Sequence, residues 1–243
     1  MSDPLALARE ALAGRTAWLV GGALRDRLLG RPVADLDLAV PDDAAGAARA
    51  LARVAKGPVF ELSEKFGAWR VHAADRSWQA DFSPLRGDSL EIDLALRDFT
   101  INALAEPLAG GELVDPHGGE HDVRERRVRM VSEGAFDDDP LRVIRAARFA
   151  CELRFEIDPP TVAAARARAA RTRELAQERV YTELRRLVDA DDAPRGLELL
   201  DAVGATDAVL PELTAMRGIE QTRYHHRDAY GHTIEVLEQA IAL

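Results

Sequence analysis

Residues 18–40 read WLVGGALRDRLLGRPVADLDLAV, and the reading of this stretch decides the fold. AWLV (17–20) reads as a buried strand that stops at Gly21–Gly22. GGALRDRLLG reads as a glycine turn followed by a short helix ending at Gly30, and DLDLAV (35–40) as a second strand. Residues two apart on a strand point to one side, so Asp35 and Asp37 project together while Leu36 and Leu38 face the core. Two carboxylates that close repel each other, and a divalent cation between them is the simplest way to keep both ionised. Hard oxygen ligands suit Mg²⁺, which binds one or two carboxylates together with phosphates and water. Two such metals can clamp the attacking and leaving oxygens of a phosphoryl displacement. Taken alone, the pair also fits an ordinary exposed strand face.

The glycines narrow the choice. Gly21–Gly22 lie between a strand and a helix, where backbone approaches phosphate closely and helix amides face the anion. Arg25, one turn in, reaches toward the same phosphates. The plain structural reading of such glycines is a tight turn needing positive φ. A phosphate turn followed by paired carboxylates is more specific than either part. Together they point to nucleotidyl transfer, in which a hydroxyl attacks the α-phosphorus of a held triphosphate.

Working outward, residues 3–13 read as a helix with Ser2 or Asp3 as cap and Pro4 in its first turn. PDDAAGAARALARVA (41–55) reads as a helix with acids in its first turn, which suit the helix dipole. PVFELS (58–63), AWRVHAA (68–74) and SWQADFS (77–83) are strand candidates. Asp81 ends the last of these as a third acid of the metal site or as a turn residue. After residue 119 the character changes. Ala/Leu/Arg stretches at 139–153, 161–171, 176–189 and 194–203 have helical spacing, punctuated by Pro159–Pro160, Pro194 and Pro211. The spacing predicts an α+β front part and an all-helical back part.

Composition sets the outer limits. The 243 residues suit one or two domains, with 47% hydrophobic residues for a core and 30% charged residues for a wet surface. No apolar run is long enough for a membrane span, and the N-terminus lacks the basic and apolar regions of a secretory signal. Cys151 is the only cysteine, so an intrachain disulfide is impossible and a reducing cytoplasm is the expected compartment. A net charge of −10 argues against nucleic-acid binding by bulk attraction, although one face can still be basic. Lys56 and Lys65 are the only lysines; the other cations are arginines, whose planar fork suits phosphate and base edges. Arg166, Arg168, Arg171 and Arg173 are candidate contacts to a nucleic-acid backbone.

Three stretches now carry a family resemblance. VGGALRDRLLGRPVADLDLAV, RDFTINALA (97–105) and DDDPLRVIRAARFACELRFEID (137–158) resemble, in the right order, motifs of class II tRNA nucleotidyltransferases and bacterial poly(A) polymerases. These belong to the polymerase-β-like nucleotidyltransferase superfamily. DPHGG (115–119) and ERVYTELRRL (178–187) also look like the family. The resemblance implies a nucleotidyltransferase head with a mixed β-sheet over 1–119, a helical neck for base selection over 120–190, and a partial helical body over 191–243. It implies that Gly21, Gly22 and Arg25 contact the triphosphate and that Asp35 and Asp37 are the catalytic, metal-holding acids. Arg97 joins the nucleotide site, with Asp98 and Asn102 in support. Asp139 and Arg142 pair with the base edge of CTP or ATP, and Arg145 and Arg148 line the same pocket. The expected cofactor is Mg²⁺ and the expected partners are tRNA, CTP and ATP, with no membrane.

Helical spacing bears on the last group independently. Asp139, Arg142, Arg145 and Arg148 follow i, i+3 steps, which predicts one stripe away from the core. An Asp acceptor and an Arg donor mimic a Watson–Crick edge for C or A. Two positions depart from the family pattern: Asp138 stands where Glu is usual, and Leu96 where a second Arg is frequent.

The resemblance leaves three activities open. The main reading is template-independent addition of the CCA end from CTP and ATP; residues 84–90 form only a short link before the second motif, a mark of the subset that adds two C residues, and CC addition is the alternative. SEKFGAWRVH (63–72) is closer to the tRNA-specific branch than to poly(A) polymerases. RYHHRDAYGHTIEVLEQAIAL (223–243) resembles the opening of an HD phosphohydrolase domain, and His225, His226, Asp228 and His232 invite a metal-site reading. The alternative is a simple helix start in the body.

Overall fold

A computed structural model describes residues 3–220 and 227–241. The chain forms two compact units, Met1–Glu125 and Arg126–Leu243.

Unit 1 begins with α1 (Pro4–Ala11), capped by Asp3, whose side chain accepts from Leu5 N at 3.0 Å. There follow β1 (Trp18–Val20), α2 (Gly22–Leu28), β2 (Asp35–Val40), α3 (Ala44–Ala55), β3 (Val59–Ser63), β4 (Ala68–His72) and β5 (Gln79–Pro84). The unit closes with α4 (Leu90–Ala95), β6 (Ala105–Pro107) and α5 (Gly119–Arg124). The acids expected in the first turn of α3 lie just before it, and Asp43 instead caps the helix by accepting from Gly46 N at 2.8 Å. A short acid directly before a helix satisfies a free amide more directly than the dipole alone would.

The strands form one mixed sheet in the order β3-β4-β5-β2-β1-β6, with β2 and β5 parallel and the other pairs antiparallel. Register places Asp35 beside Gln79 and Asp37 beside Asp81, and on the next strand His72 beside Gln79 and Arg70 beside Asp81. Registered neighbours share a face, so these six side chains lie on one side of the sheet. The other side supplies Leu36, Leu38, Val71, Ala80 and Phe82 to a core closed by Ala8 and Leu12, and by Ala47, Ala48 and Leu51 of α3. A two-faced sheet with one covered side thus leaves the acids on the open side.

Unit 2 contains β7 (Arg127–Val128), α6 (Ala135–Asp138), α7 (Leu141–Leu153), β8 (Glu156–Ile157), α8 (Pro159–Arg168) and α9 (Gln177–Val188). It continues through α10 (Ala193–Ala202), α11 (Thr206–Val209), α12 (Pro211–Ala215) and α13 (Ala229–Ile241). The expectation of helices alone missed the parallel β7–β8 pair, whose two-residue strands are too short to show an alternating pattern. Val143, Ile144, Ala147 and Ala150 of α7 are buried, as are Leu187 of α9 and Leu197 and Leu200 of α10. Gly196 is required at this packing: a Cβ there would stand 2.8 Å from Leu187 Cδ2 and 3.1 Å from Cys151 Sγ.

Candidate active site

The acids of β2 and the glycine corner converge in unit 1. Gly21 has φ +69°, and a Cβ built on it would lie 3.2 Å from Asp37 Oδ2 and 3.0 Å from Arg97 Nη1. Only glycine both adopts that backbone and leaves room for a carboxylate and a guanidinium beside it. An open cleft of about 800 Å³ lies over this region, with Asp37, Asp81, Lys65, Phe66, Asp93 and Arg97 among its walls.

The electrostatics follow from this placement. The Asp37 side chain opens to solvent, but the protein massed around it raises its carboxyl from 3.8 to about 6, with Asp81 and Asp35 adding to the rise. Arg97 pulls against the burial, and Arg25 more weakly. Asp81 is no turn residue. It sits mid-strand beside Asp37 and accepts from Arg70 Nε and Nη2 at 2.6 and 2.7 Å. Register across three strands made this pair, and no local pattern announces it.

Arg97 is oriented by a residue that the sequence reading passed over. Asp93, 3% exposed, accepts from Arg97 Nε and Nη2 at 3.1 and 2.8 Å and from Arg86 Nε at 2.9 Å. Burial opposes ionisation of Asp93, but Arg97 and Arg86 outweigh it and hold the carboxyl below its ordinary value. The i, i+4 spacing of Asp93 and Arg97 was the available signal.

Arg25 is buried and braces the turn. It donates to Asn102 Oδ1 at 2.6 Å and to Asp26 at 3.0 Å, and lies against Gly22. Asn102 Nδ2 donates in turn to Asp98 Oδ1 at 3.0 Å, which also accepts from Phe99 N at 2.8 Å. Asp98, Asn102 and Arg25 thereby form a chain behind the glycine corner.

These residues fit a divalent cation. The donors are hard carboxylate oxygens, and Asp37 is driven toward protonation where a cation would favour its ionised form. Among the described residues no three acid, His or Cys side chains close into a metal cage, and Asp81 is already neutralised by Arg70. That suits an ion held by Asp35 and Asp37 and completed by substrate phosphates. Because Asp37 holds such an ion only when ionised, the half-saturating metal concentration is expected to rise roughly tenfold per pH unit below the Asp37 value. Metal titrations of activity between pH 5 and pH 8 check this, and a flat profile contradicts it.

Unit 2 carries the second set of residues. Asp139 lies before α7 in extended backbone, with φ −149°. Its Oδ1 accepts from Leu141 N at 3.1 Å and its Oδ2 from Arg179 Nη2 at 2.7 Å. Arg142 donates to Ala135 O at 3.1 Å, and Arg145 to Glu183 Oε1 at 3.3 Å. Arg148 departs from the predicted stripe. It is fully buried, bound to Glu183 and to Glu152 Oε2 at 2.6 Å, and packed over the Phe149 ring. The reason is rotational: each i, i+3 step falls about 60° short of a full turn, so Arg148 has moved about 120° from Arg142. The expectation that this stripe avoids the core fails at its last member.

The arginines proposed for a nucleic-acid backbone are engaged within the unit. Arg168 and Arg171 pair with Asp137, Arg173 pairs with Asp207, and Arg166 donates to Ala202 O. At the C-terminal end, His225 and His226 lie outside the described residues. Asp228 is spent on backbone, accepting from Gly218 N and Gly231 N, each at 2.8 Å, and His232 sits within α13.

The chain is similar to known proteins over most of its length. The profile of the poly A polymerase head domain matches residues 17–129, and that of the probable RNA and SrmB-binding site of polymerase A matches residues 154–217. The A-adding tRNA nucleotidyltransferase of Deinococcus radiodurans is 47% identical over 230 residues, covering 93% of this chain and 52% of the relative. The CC-adding tRNA nucleotidyltransferase of Geobacter sulfurreducens is 40% identical, covering 94% and 55%. The Bacillus stearothermophilus CCA-adding enzyme, solved with CTP, superposes with a TM-score of 0.73 at 32% identity, over 84% of this chain and 53% of that one. A tRNA nucleotidyltransferase solved with a primer tRNA and an incoming ATP analogue gives 0.75 at 27% identity, over 97% and 74%. The chain spans about half the length of the curated relatives it matches. Its α+β architecture is thus the head-and-neck fold of CCA-adding nucleotidyltransferases. The chain belongs to the family of class II tRNA nucleotidyltransferases and poly(A) polymerases.

Proposed function

We propose that the protein adds nucleotides from CTP and ATP to the 3′ end of tRNA without a nucleic-acid template, using Mg²⁺. The observation that carries this reading is the meeting of Gly21, Asp37 and Arg97 at one point in a chain whose family adds nucleotides. In the reaction the tRNA 3′-hydroxyl gives up its proton to solvent as its oxygen bonds to the α-phosphorus, the bond from that phosphorus to the bridging oxygen breaks, and pyrophosphate leaves. Bound Mg²⁺ would supply Lewis-acid stabilisation of the phosphoryl oxygens. Asp35 and Asp37 hold the ion, Gly21 and Gly22 let the backbone approach the phosphates, and Arg97, fixed by Asp93, neutralises charge on the leaving pyrophosphate. Arg25 acts through the turn it braces. In unit 2, Asp139 and Arg142 present an acceptor and a donor to the base edge. The division into a catalytic head, a base-selecting neck and a body belongs to this reading. So does a cytoplasmic location, which suits a single buried thiol; no helix among the described residues is long and apolar enough to cross a membrane.

The test is incubation with Mg²⁺, labelled CTP or ATP, and tRNA lacking its 3′ end or ending in CC. Incorporation supports the reading, and none with either nucleotide on either tRNA overturns it. A second reading, addition of the terminal A alone, is favoured by the 47% identity to an A-adding relative. It predicts ATP incorporation on tRNA ending in CC and no CTP incorporation; C addition alone would select the CC-adding branch. The link between β5 and α4 is residues 85–89. Arg142→Ala is expected to lower discrimination between the correct and wrong nucleotide by on the order of tenfold, with tRNA affinity little changed. Single-turnover competition between CTP and ATP measures it.

A further inference from the structure

We propose that a second hollow, at the Asp35 end of β2, receives the 3′-terminal nucleoside of the RNA acceptor. This assignment rests on the nucleotidyl-transfer reading and names the other half of that site. The hollow has a volume of about 650 Å³, lies wholly within unit 1, and has Asp35, Phe60, His72, Arg76, Ser77 and Gln79 in its wall.

Strand geometry places it. The Asp35–Gln79–His72 row and the Asp37–Asp81–Arg70 row are successive positions on one sheet face, roughly 7 Å apart. The cleft walled by Arg97 and Lys65 reaches Asp37 and continues toward Ala39 and Ser83, away from Asp35. The second hollow opens in the opposite direction, from Asp35 toward Arg76 and Ser77, with Phe60 and His72 as its side wall across the sheet. The acids therefore stand between two cavities. Displacement at phosphorus sets the attacking and leaving oxygens roughly in line. With pyrophosphate drawn to Gly21 and Arg97, the attacking hydroxyl enters from the far side, where this hollow lies.

Its chemistry matches a nucleotide end. Phe60 leaves 42% of its surface exposed on the edge strand β3, and its ring lies 5.5 Å from the His72 ring at 32°. Such a platform stacks any base, which suits an acceptor whose last base changes as addition proceeds. Gln79 and Ser77 supply hydrogen-bonding groups at the wall. Arg76 is held at φ +58° in a turn pinned by Asp75, whose Oδ1 accepts from Ser77 N at 3.0 Å and Ser77 Oγ at 2.6 Å. The Arg76 side chain makes no hydrogen bond or ion pair among the described residues, and its guanidinium is placed for the phosphate of the terminal nucleotide.

The experiment uses the protein with a tRNA acceptor carrying 2-aminopurine at its 3′-terminal position, alongside steady-state extension of ordinary acceptor tRNA. Stacking on Phe60 and His72 is expected to quench the probe on binding. Phe60→Ala is expected to abolish the quenching and to raise KM for the acceptor by roughly tenfold, with KM for the nucleoside triphosphate unchanged. Phe60→Trp is expected to keep both wild-type values. Arg76→Gln is expected to raise acceptor KM severalfold and leave quenching in place at saturation. An acceptor KM that Phe60→Ala does not change, quenching that survives in Phe60→Ala, or an equal rise in KM for the triphosphate would overturn the assignment. A wild-type protein that extends no tRNA would instead remove the nucleotidyl-transfer reading, and the binding signal alone would then decide this one.

Discussion

Asp37→Asn is expected to lower turnover by on the order of a thousandfold while raising the melting temperature by about 2–4 °C. On the proposed reading, the loss follows from removing one of two carboxylates that hold the catalytic cation, a group whose stabilisation of transition-state charge amounts to several kcal/mol. The gain follows from the carboxyl's own discomfort. Its value is raised from 3.8 to about 6, chiefly by desolvation from the protein massed around it, so the folded protein binds that proton more tightly than the unfolded chain does. Ionisation therefore costs stability: the penalty is absent below the unfolded value of 3.8, grows between 3.8 and about 6, and is complete above that. Asn removes it. Because the side chain is open to solvent, the full shift is discounted, leaving a gain of about 1 kcal/mol at neutral pH. Melting curves of both proteins should separate above pH 6 and converge near pH 4. Asp35→Ala, at an exposed position, should lose activity with little change in melting temperature. A protein unfolded by either substitution would show the acids to be structural, and retained turnover would remove them from the reaction.

Glu183→Ala is expected to cost unit 2 about 3–5 kcal/mol. Glu183 is 6% exposed and receives both Arg148 and Arg145. Its loss leaves the wholly buried Arg148 guanidinium with Glu152 as its one remaining carboxylate partner among the described residues. Burial already pulls the Arg148 guanidinium down against the two glutamates, and its Nη2 has no hydrogen-bond partner among the described residues. An arginine does not escape by deprotonating, so the uncompensated charge is carried by the fold. The double change Arg148→Met with Glu183→Leu should recover most of the stability, since a packed apolar pair of similar volume replaces a buried ion pair at little cost. Chemical denaturation followed by circular dichroism reads both. A loss below about 1 kcal/mol for Glu183→Ala would mean that the pair is not dry.

Much of unit 1 was legible because its signals are local. Alternation in DLDLAV put Leu36 and Leu38 inward and Asp35 and Asp37 outward, and both leucines are buried. The break at Gly21–Gly22 marked the turn that meets Asp37. The three strand candidates after residue 57 became β3, β4 and β5, within a few residues at each end. Motif order supplied Arg97, Asp98 and Asn102, which composition and periodicity would not have selected.

The remainder was set by distance in space. Arg70 meets Asp81 only because β4 and β5 pair in one register, and a slip of one residue would have put the two side chains on opposite faces of the sheet. Asp93 showed only an i, i+4 spacing to Arg97; its contact with Arg86 and its near-complete burial depend on how α4 packs. Arg148 looked like its neighbours on a helical wheel and became the most deeply buried charge of unit 2, because α9 lies against that part of α7.

By itself the sequence determined the alternation of strands, the glycine turn, the carboxylate pair and the family motifs, all written within short spans of chain. Tertiary structure decided which charges are neutralised, which acid is pushed toward protonation and which arginine is buried. These outcomes depend on what each charge faces across strands or between helices, and electrostatic energy responds to distance and burial rather than to order along the chain.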